Sequence, residues 1–500
     1  MRQATLIATL SSPPSPSGEE IASLPASVGW LEVLADRVVG IDPDWLRGRF
    51  RGQLLYSLRS RAEGGCYDGD NRERAALLTA AARRWDLVEL ETRDLGGDAA
   101  VRVPKERRVL SWHGTAADLG ELRPRWQRLA AAEARLVRLV PAAREPAEGL
   151  APLRLLREAG RDDLLAYASG PAGWWSRLLA PRLGAPFVVA AVREEAGEPA
   201  VARLVRDYGL PDLPPLAELY GIVGRGAVKS LSPRLHNSAY RSLDLPALYL
   251  PFPAASFDSF WGELADGALA DLGWPLRGLT ITSPHKEEAV AAAGEASAIA
   301  RQAGAANTLL RQGAAWLADT ADAEGVLAAL EARGVEVGGR QVAVVGCGGA
   351  GRAAAAGLQR AGGRVTLVNR SPERGLYASQ LLGLPFVPLA RFDPRPFSLL
   401  VHATPLVEEP PFAVSSLEPG TVVVELAYGT ASSSLMAAAS GGGGIAIDGR
   451  EVLLIEARRQ FEMMTGRRMP AGPARKLIGG AGARASIPPP PNGSRPAVSR

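Results

Sequence analysis

Residues 340–362 read RQVAVVGCGGAGRAAAAGLQRAG: a short apolar run, a glycine turn and an alanine-rich segment in direct succession. The spacing predicts a buried parallel strand over Val342–Val345, a tight turn through Gly346, Gly348 and Gly349, and a helix beyond. Glycines at such a turn let the backbone approach a pyrophosphate, which then sits on the helix N-terminus. A second strand, VTLVNRS (365–371), follows after the interval expected of a βαβ unit. An acidic residue at its end would bind the ribose 2′-hydroxyl of NAD. Here the end reads Asn369, Arg370, Ser371, with Arg374 one turn further on. Two guanidiniums in place of a carboxylate suit a 2′-phosphate, so the cofactor expected is NADP.

Working outward, the chain divides into α/β regions. Eight apolar runs precede residue 206: ATLIATL, VGWLEVL, GQLLYSL, DLVELE, RRVLSWH, ARLVRLV, LLAYAS and PFVVAAV. Helix-like segments such as RERAALLTAAARR lie between several of them. Eight alternations in this length predict a (β/α)8 barrel over 1–206, with a doubly wound sheet as the alternative on pattern alone. The Pro-rich DYGLPDLPPL reads as a linker within 207–217. A second α/β region is expected over 218–328, the dinucleotide domain over 329–448, and returning helices over 449–477. ASGGGG (439–444) reads as a surface loop, and 478–500 as a disordered tail poor in apolar residues.

Composition narrows the function. With 47% apolar and 22% charged residues the chain is that of an ordinary globular protein, and 500 residues predict two or three domains. A net charge of +4 with no basic run gives no nucleic-acid footprint. No apolar run reaches the roughly 18–20 residues that span a bilayer, and a cytoplasmic location is expected. Two cysteines, Cys66 and Cys347, exclude a disulfide framework, and the four histidines lack metal-ligand spacing, so no metal is expected. Only four of the 57 basic residues are lysine (105, 229, 286 and 476). Arginine cannot be deprotonated in a protein and lysine can, so each lysine retained here carries information.

Polar clusters between 220 and 325 suit a small polyhydroxylated acid. GAVKSLSPRLHNSAY carries Ser230 and Ser232, GLTITSPHKE carries Thr282 and Lys286, GAANTL carries Asn307, and DTADAEG carries Asp322. Together they resemble, in order, the S-x-S-P-x-x-H-N, N-x-T-x-P-x-K, G-A-x-N-T and N-T-D patterns of shikimate dehydrogenases, which reduce 3-dehydroshikimate with NADPH. The resemblance implies a substrate site of Ser230, Ser232, Thr282, Asn307, Asp322, Tyr428 and Glu456, with Lys286 and Asp322 as the catalytic pair. It implies a cofactor site of Gly346, Cys347, Gly348, Gly349, Ala350, Asn369, Arg370, Ser371, Arg374, Leu426 and Gly449. Three positions depart from the pattern. The first asparagine is Thr280, N-T-D becomes Thr320-Ala321-Asp322, and the late glutamine is Glu456, which would set a negative charge beside a carboxylate substrate. Quinate/shikimate dehydrogenases, which often prefer NAD, are the related alternative.

The barrel region resembles type I 3-dehydroquinate dehydratase through YSLRSRAEGG (56–65), LSWH (110–113) and SRLLAPRLGAP (176–186). Fusions with the dehydratase first are known for these two families. The resemblance places Glu32, Arg59, Glu63, His113, Arg138 and Arg177 on active-site positions. Arg138 stands where the family has its Schiff-base lysine, Leu34 replaces an arginine, and Glu198 replaces a glutamine. Imine formation needs a neutral primary amine, and guanidinium supplies none. Three readings follow: a dehydrogenase with a degenerate barrel, a true bifunctional enzyme, or a barrel serving as a ligand-binding or docking module.

Overall fold

The computed structural model describes residues 3–12, 16–116, 118–195, 197–265, 267–406, 410–428 and 433–470. The expected tail over 478–500 lies outside the described residues, as does the end of the 449–477 segment. The chain forms two compact units, Met1–Leu276 and Arg277–Arg500.

The eight predicted barrel strands all form: β1 (Thr5–Leu10), β2 (Val28–Leu34), β3 (Gln53–Ser57), β4 (Leu87–Glu91), β5 (Arg108–Thr115), β6 (Leu136–Ala142), β7 (Leu164–Ala166) and β8 (Phe187–Ala191). They run parallel in the order β7-β6-β5-β4-β3-β2-β1-β8, a nearly closed barrel. Alternate residues of a strand face opposite sides, so one face of these strands carries a polar layer. Thr9, Glu32, Ser57, Glu89, Ser111 and Arg138 are all buried there, with Ser111 in register beside Arg138. The helices that cover the barrel start and stop on local signals. Asn71–Arg84 opens on Asp70, whose carboxylate accepts from the Glu73 backbone N–H, and Leu150–Ala159 ends at Gly160 with φ +57°.

The expected linker is not a solvated tether. Tyr208 and Leu210 are 1% exposed, and the buried Asp207 pairs with Arg206 at 2.7 Å and Arg234 at 2.9 Å. Arg182 donates to the carbonyls of Leu213 and Pro214. Prolines prevent a helix here, but the apolar residues between them still bury. The same unit holds β9 (Glu218–Val223) and β10 (Ala247–Phe252), paired in parallel.

In the second unit, β11 (Leu276–Ile281, starting at the boundary) pairs antiparallel with β13 (Thr308–Gln312). β14 (Ala315–Asp319) joins β13 to β12 (Glu295–Ala296). The dinucleotide sheet is parallel, in the order β17-β16-β15-β18-β19-β20. Its strands are β15 (Gln341–Val345), β16 (Arg364–Asn369), β17 (Phe386–Pro388), β18 (Leu399–His402), β19 (Val422–Glu425) and β20 (Ala446–Ile447). Val342, Val344, Leu367, Val401 and Val424 bury one face of this sheet against Ala354, Ala355 and Leu358 of the helix Gly349–Arg360. ASGGGG is only in part a loop. The helix Ser434–Gly441 runs through its first residues with Ala439 buried, and a Cβ at Gly444 would stand 2.0 Å from the Thr421 carbonyl. Packing against β19 and β20 overrides the glycine signal. No helix among the described residues is long and apolar enough to cross a membrane.

Candidate active site

The strand-to-helix turn after β11 carries Thr282 and ends where the helix Lys286–Ala292 begins. Asp322 opens the helix Asp322–Glu331 directly after β14. These two helix starts meet: the Lys286 ammonium donates to both carboxylate oxygens of Asp322 at 2.8 Å. The pair is nearly buried, with side-chain exposures of 16% and 5%. Asn307, just before β13, supports it, its Oδ1 accepting from the Ala321 N–H at 2.9 Å and from the Thr308 hydroxyl at 2.8 Å. Asn307 thereby fixes the residue before Asp322 rather than Asp322 itself.

Glu456 lies on the helix Gly449–Thr465, with its Cγ 2.6 Å from where a Cβ on Gly325 would stand. The charge expected there needs correcting. Burial, followed by the nearby Asp322 carboxylate, pushes the Glu456 carboxyl up to about 8, against the opposing pull of Lys286. At neutral pH it is mainly the neutral acid. Thr280, the other departure, is structural: its hydroxyl donates to Gln460 Oε1 at 3.0 Å, and Gln460 Nε2 donates to the Asn307 carbonyl at 3.1 Å. Ser230 and Ser232 belong to the first unit, where their hydroxyls hydrogen-bond each other at 3.1 Å. Tyr428 and Leu426 follow β19 and are half-buried.

The glycine turn fits a dinucleotide. Gly346 has φ +112°, and a Cβ there would meet the Ala403 carbonyl carbon at 2.9 Å. A Cβ at Gly351 would stand 1.8 Å from the Gly346 oxygen, so both glycines are required for the close approach of strand and helix. Gly348, the N-cap of the following helix, faces open space instead. Cys347 donates its N–H to Asn369 Oδ1 at 3.0 Å, and Asn369 Nδ2 donates to the Ser371 carbonyl at 2.9 Å. Arg370 and Arg374 are exposed and make no ion pair among the described residues, which leaves both guanidiniums available to a phosphate. Gly449 packs close to the Ala427 carbonyl, where a Cβ would come within 2.4 Å. A Cβ on Gly349 would lie 2.8 Å from the Cβ of Lys286, so the lysine stem borders the cofactor turn.

Two contributors were missed in the sequence. Arg352, 2% exposed, ties the dinucleotide helix to the lysine helix by donating to the Ala303 carbonyl at 2.8 Å and to Glu287 at 2.9 Å. His402 contacts Glu425 at 3.1 Å and Thr404 at 2.5 Å, bracing the chain beside Gly346. Nothing local marks either residue, since their partners lie on other elements.

In the barrel, Arg138 is 1% exposed, and its Nη2 lies 2.7 Å from Glu32 and 3.0 Å from Glu89. Arg59 approaches Glu89 at 3.8 Å, so two guanidiniums balance two carboxylates. Thr9 and Ser57 complete the shell by donating to Glu32 at 2.7 and 2.8 Å. Burial opposes the charges, but the pull of Arg138 holds both carboxyls below their ordinary range. Glu63 accepts from the His113 N–H at 2.9 Å. Burial and then Glu91 push its carboxyl up to about 8. Burial, then Arg59 and Arg138, keeps His113 neutral, well below its ordinary value. Arg177 is paired with Glu198 at 2.6 Å. Glu89 was missed because DLVELE reads as a plain strand. Lys105, the one lysine in the sequence of residues 1–206, pairs with Glu133 at 2.9 Å on the exposed surface.

Comparison with known proteins agrees with both halves. The type I 3-dehydroquinase family matches residues 45–212, and the shikimate dehydrogenase substrate binding domain matches 222–309. The NADP(+) shikimate dehydrogenase of Syntrophobacter fumaroxidans is 37% identical over 270 residues, which is 52% of this chain and 91% of that one. The chloroplastic bifunctional 3-dehydroquinate dehydratase/shikimate dehydrogenase of Arabidopsis thaliana is 26% identical over 82% of this chain and 73% of its own. The structure of the Thermus thermophilus shikimate 5-dehydrogenase with NADP(H) and shikimate aligns with 52% of this chain and 98% of its own, at 29% identity and a TM-score of 0.47. The chain belongs to the shikimate dehydrogenase family and carries a type I 3-dehydroquinase domain ahead of it.

Proposed function

We propose that the protein reduces 3-dehydroshikimate to shikimate with NADPH, and that its barrel no longer dehydrates 3-dehydroquinate. The observation that carries the first part is the Lys286–Asp322 pair bordering the dinucleotide turn. The turn Gly346–Ala350, the N-terminus of the helix Gly349–Arg360, Asn369, and the guanidiniums of Arg370 and Arg374 would hold NADPH, which when bound would supply the hydride. As the substrate carbonyl is reduced, negative charge builds on its oxygen. Lys286 is assigned to donate a hydrogen bond to that oxygen and then a proton, with Asp322, which accepts from its ammonium at 2.8 Å, orienting it. Thr282, Asn307, Tyr428 and Glu456 are proposed to hold the hydroxy acid.

The second part rests on Arg138. A guanidinium locked between Glu32 and Glu89 can neither lose its proton nor form an imine. Arg177, the cation available for a substrate carboxylate, is engaged by Glu198. The test uses the full chain. NADP-linked oxidation of shikimate should be robust, dehydration of 3-dehydroquinate should be at background, and borohydride with 3-dehydroquinate should trap no adduct. A trapped adduct, on Lys105 or elsewhere, or sustained dehydration, would make the true bifunctional reading correct.

A further inference from the structure

Glu456 occupies a position that the dehydrogenase family gives to glutamine, and its carboxyl makes no hydrogen bond among the described residues. Its stem is wedged against Gly325, so the carboxyl cannot withdraw toward that helix: a Cβ on Gly325 would stand 2.6 Å from Cγ and 3.1 Å from Oε1. From the helix Asp322–Glu331, Asp322 acts on Glu456, Glu324 is taken by Arg459 at 2.9 Å, and Glu331 is solvent-exposed. Arg333 pairs with Glu451 at 2.6 Å, Lys286 faces it from its own helix, and Arg311 of β13 stacks on Trp316.

We propose that Glu456 serves the dehydrogenase as a neutral, glutamine-like partner for the hydroxy-acid substrate, and that its ionisation switches substrate affinity off in alkaline solution. The inference rests on the site being that of a shikimate dehydrogenase. A protonated carboxyl presents one O–H donor and one C=O acceptor, the same complement that a glutamine offers a substrate hydroxyl. The ionised group accepts only, and it adds a second negative charge near Asp322 at a site proposed to take an anionic acid. The raised position of this carboxyl, at about 8, puts the change between pH 7 and pH 9.

If only the neutral form binds, affinity falls in proportion to its population, about tenfold between pH 7 and pH 9. The experiment measures KM and kcat for shikimate at saturating NADP from pH 6.5 to 9.5 on the full chain, for wild type and Glu456→Gln. Calorimetric titration of shikimate at pH 7 and pH 9 accompanies it. Wild-type KM and Kd should rise about tenfold between pH 7 and 9, those of Glu456→Gln should stay flat, and the two kcat profiles should run parallel. Glu456→Ala, which also lacks a titrating group, should bind more weakly at every pH with the same flat profile, and serves if the glutamine variant misfolds. KM profiles that coincide in wild type and variant would overturn the role of Glu456 while leaving the dehydrogenase assignment intact. Failure of wild type to oxidise shikimate at any pH would overturn the assignment and the inference with it.

Discussion

Replacing Arg138 by methionine removes the cation from a buried cluster while nearly preserving volume. Glu32 and Glu89, 1% and 2% exposed, then keep only hydroxyl donors and the more distant Arg59. Breaking a buried ion pair from one side costs about 3–5 kcal/mol, because the remaining charge is left without compensation. The penalty should depend on pH with a definite sign. In wild type both carboxyls are held low, so their contribution is present above the ordinary carboxylate range and is lost only as pH falls through the lowered values. In the variant burial outweighs the remaining pull of Arg59 and the hydroxyls and raises them, so stability is greatest below that range and falls as pH rises. The loss amounts to about 1.4 kcal/mol per pH unit for each carboxyl that holds a proton in the folded state alone. The gap between wild type and Arg138→Met should therefore widen from pH 5 to pH 8. Arg138→Lys should recover most of the stability, since both contacts are made by Nη2 alone and an ammonium can take its place. Urea unfolding followed by tryptophan fluorescence reads this directly, because seven of the ten tryptophans precede residue 206. A loss below about 1 kcal/mol for the methionine variant, or one independent of pH, would refute the ionised cluster and with it the account of why arginine is tolerated there.

Further expectations concern the two sites separately. Lys286→Ala should lower kcat by about 100- to 10,000-fold with NADPH binding near wild type, as read by steady-state kinetics and cofactor titration; retained turnover would dismiss the lysine as proton donor. Asp322→Asn should damage both turnover and substrate binding. Neutral replacements of Arg370 and Arg374 should weaken NADPH by about 1.5–3 kcal/mol per lost charged contact and leave NADH almost unchanged, and equal losses in calorimetry would refute recognition of the 2′-phosphate. Glu63 is neutral in the folded barrel up to about 8, so its contribution is full below the ordinary carboxylate range and is lost as pH rises through about 8. Glu63→Gln should flatten that alkaline loss in a pH series of unfolding midpoints.

The architecture was legible because its signals are local. Short apolar runs marked every barrel strand, and the turn at Gly346–Gly349 with its flanking valines marked the dinucleotide sheet. Lys286 stood out because lysine is scarce in this chain. What sequence could not show was every property set by neighbours distant along the chain. Arg138 meets Glu32 across 106 residues, Gln460 braces Thr280 across 180, and Arg352 reaches Glu287 across 65. The ASGGGG segment was misjudged for the same reason, since burial against other elements overruled its composition. Glu456 shows the division most clearly: its identity is written in the sequence, but its charge is not. An isolated glutamate is an anion at neutral pH, and only the folded chain, by removing water and placing Asp322 nearby, makes it an acid that keeps its proton.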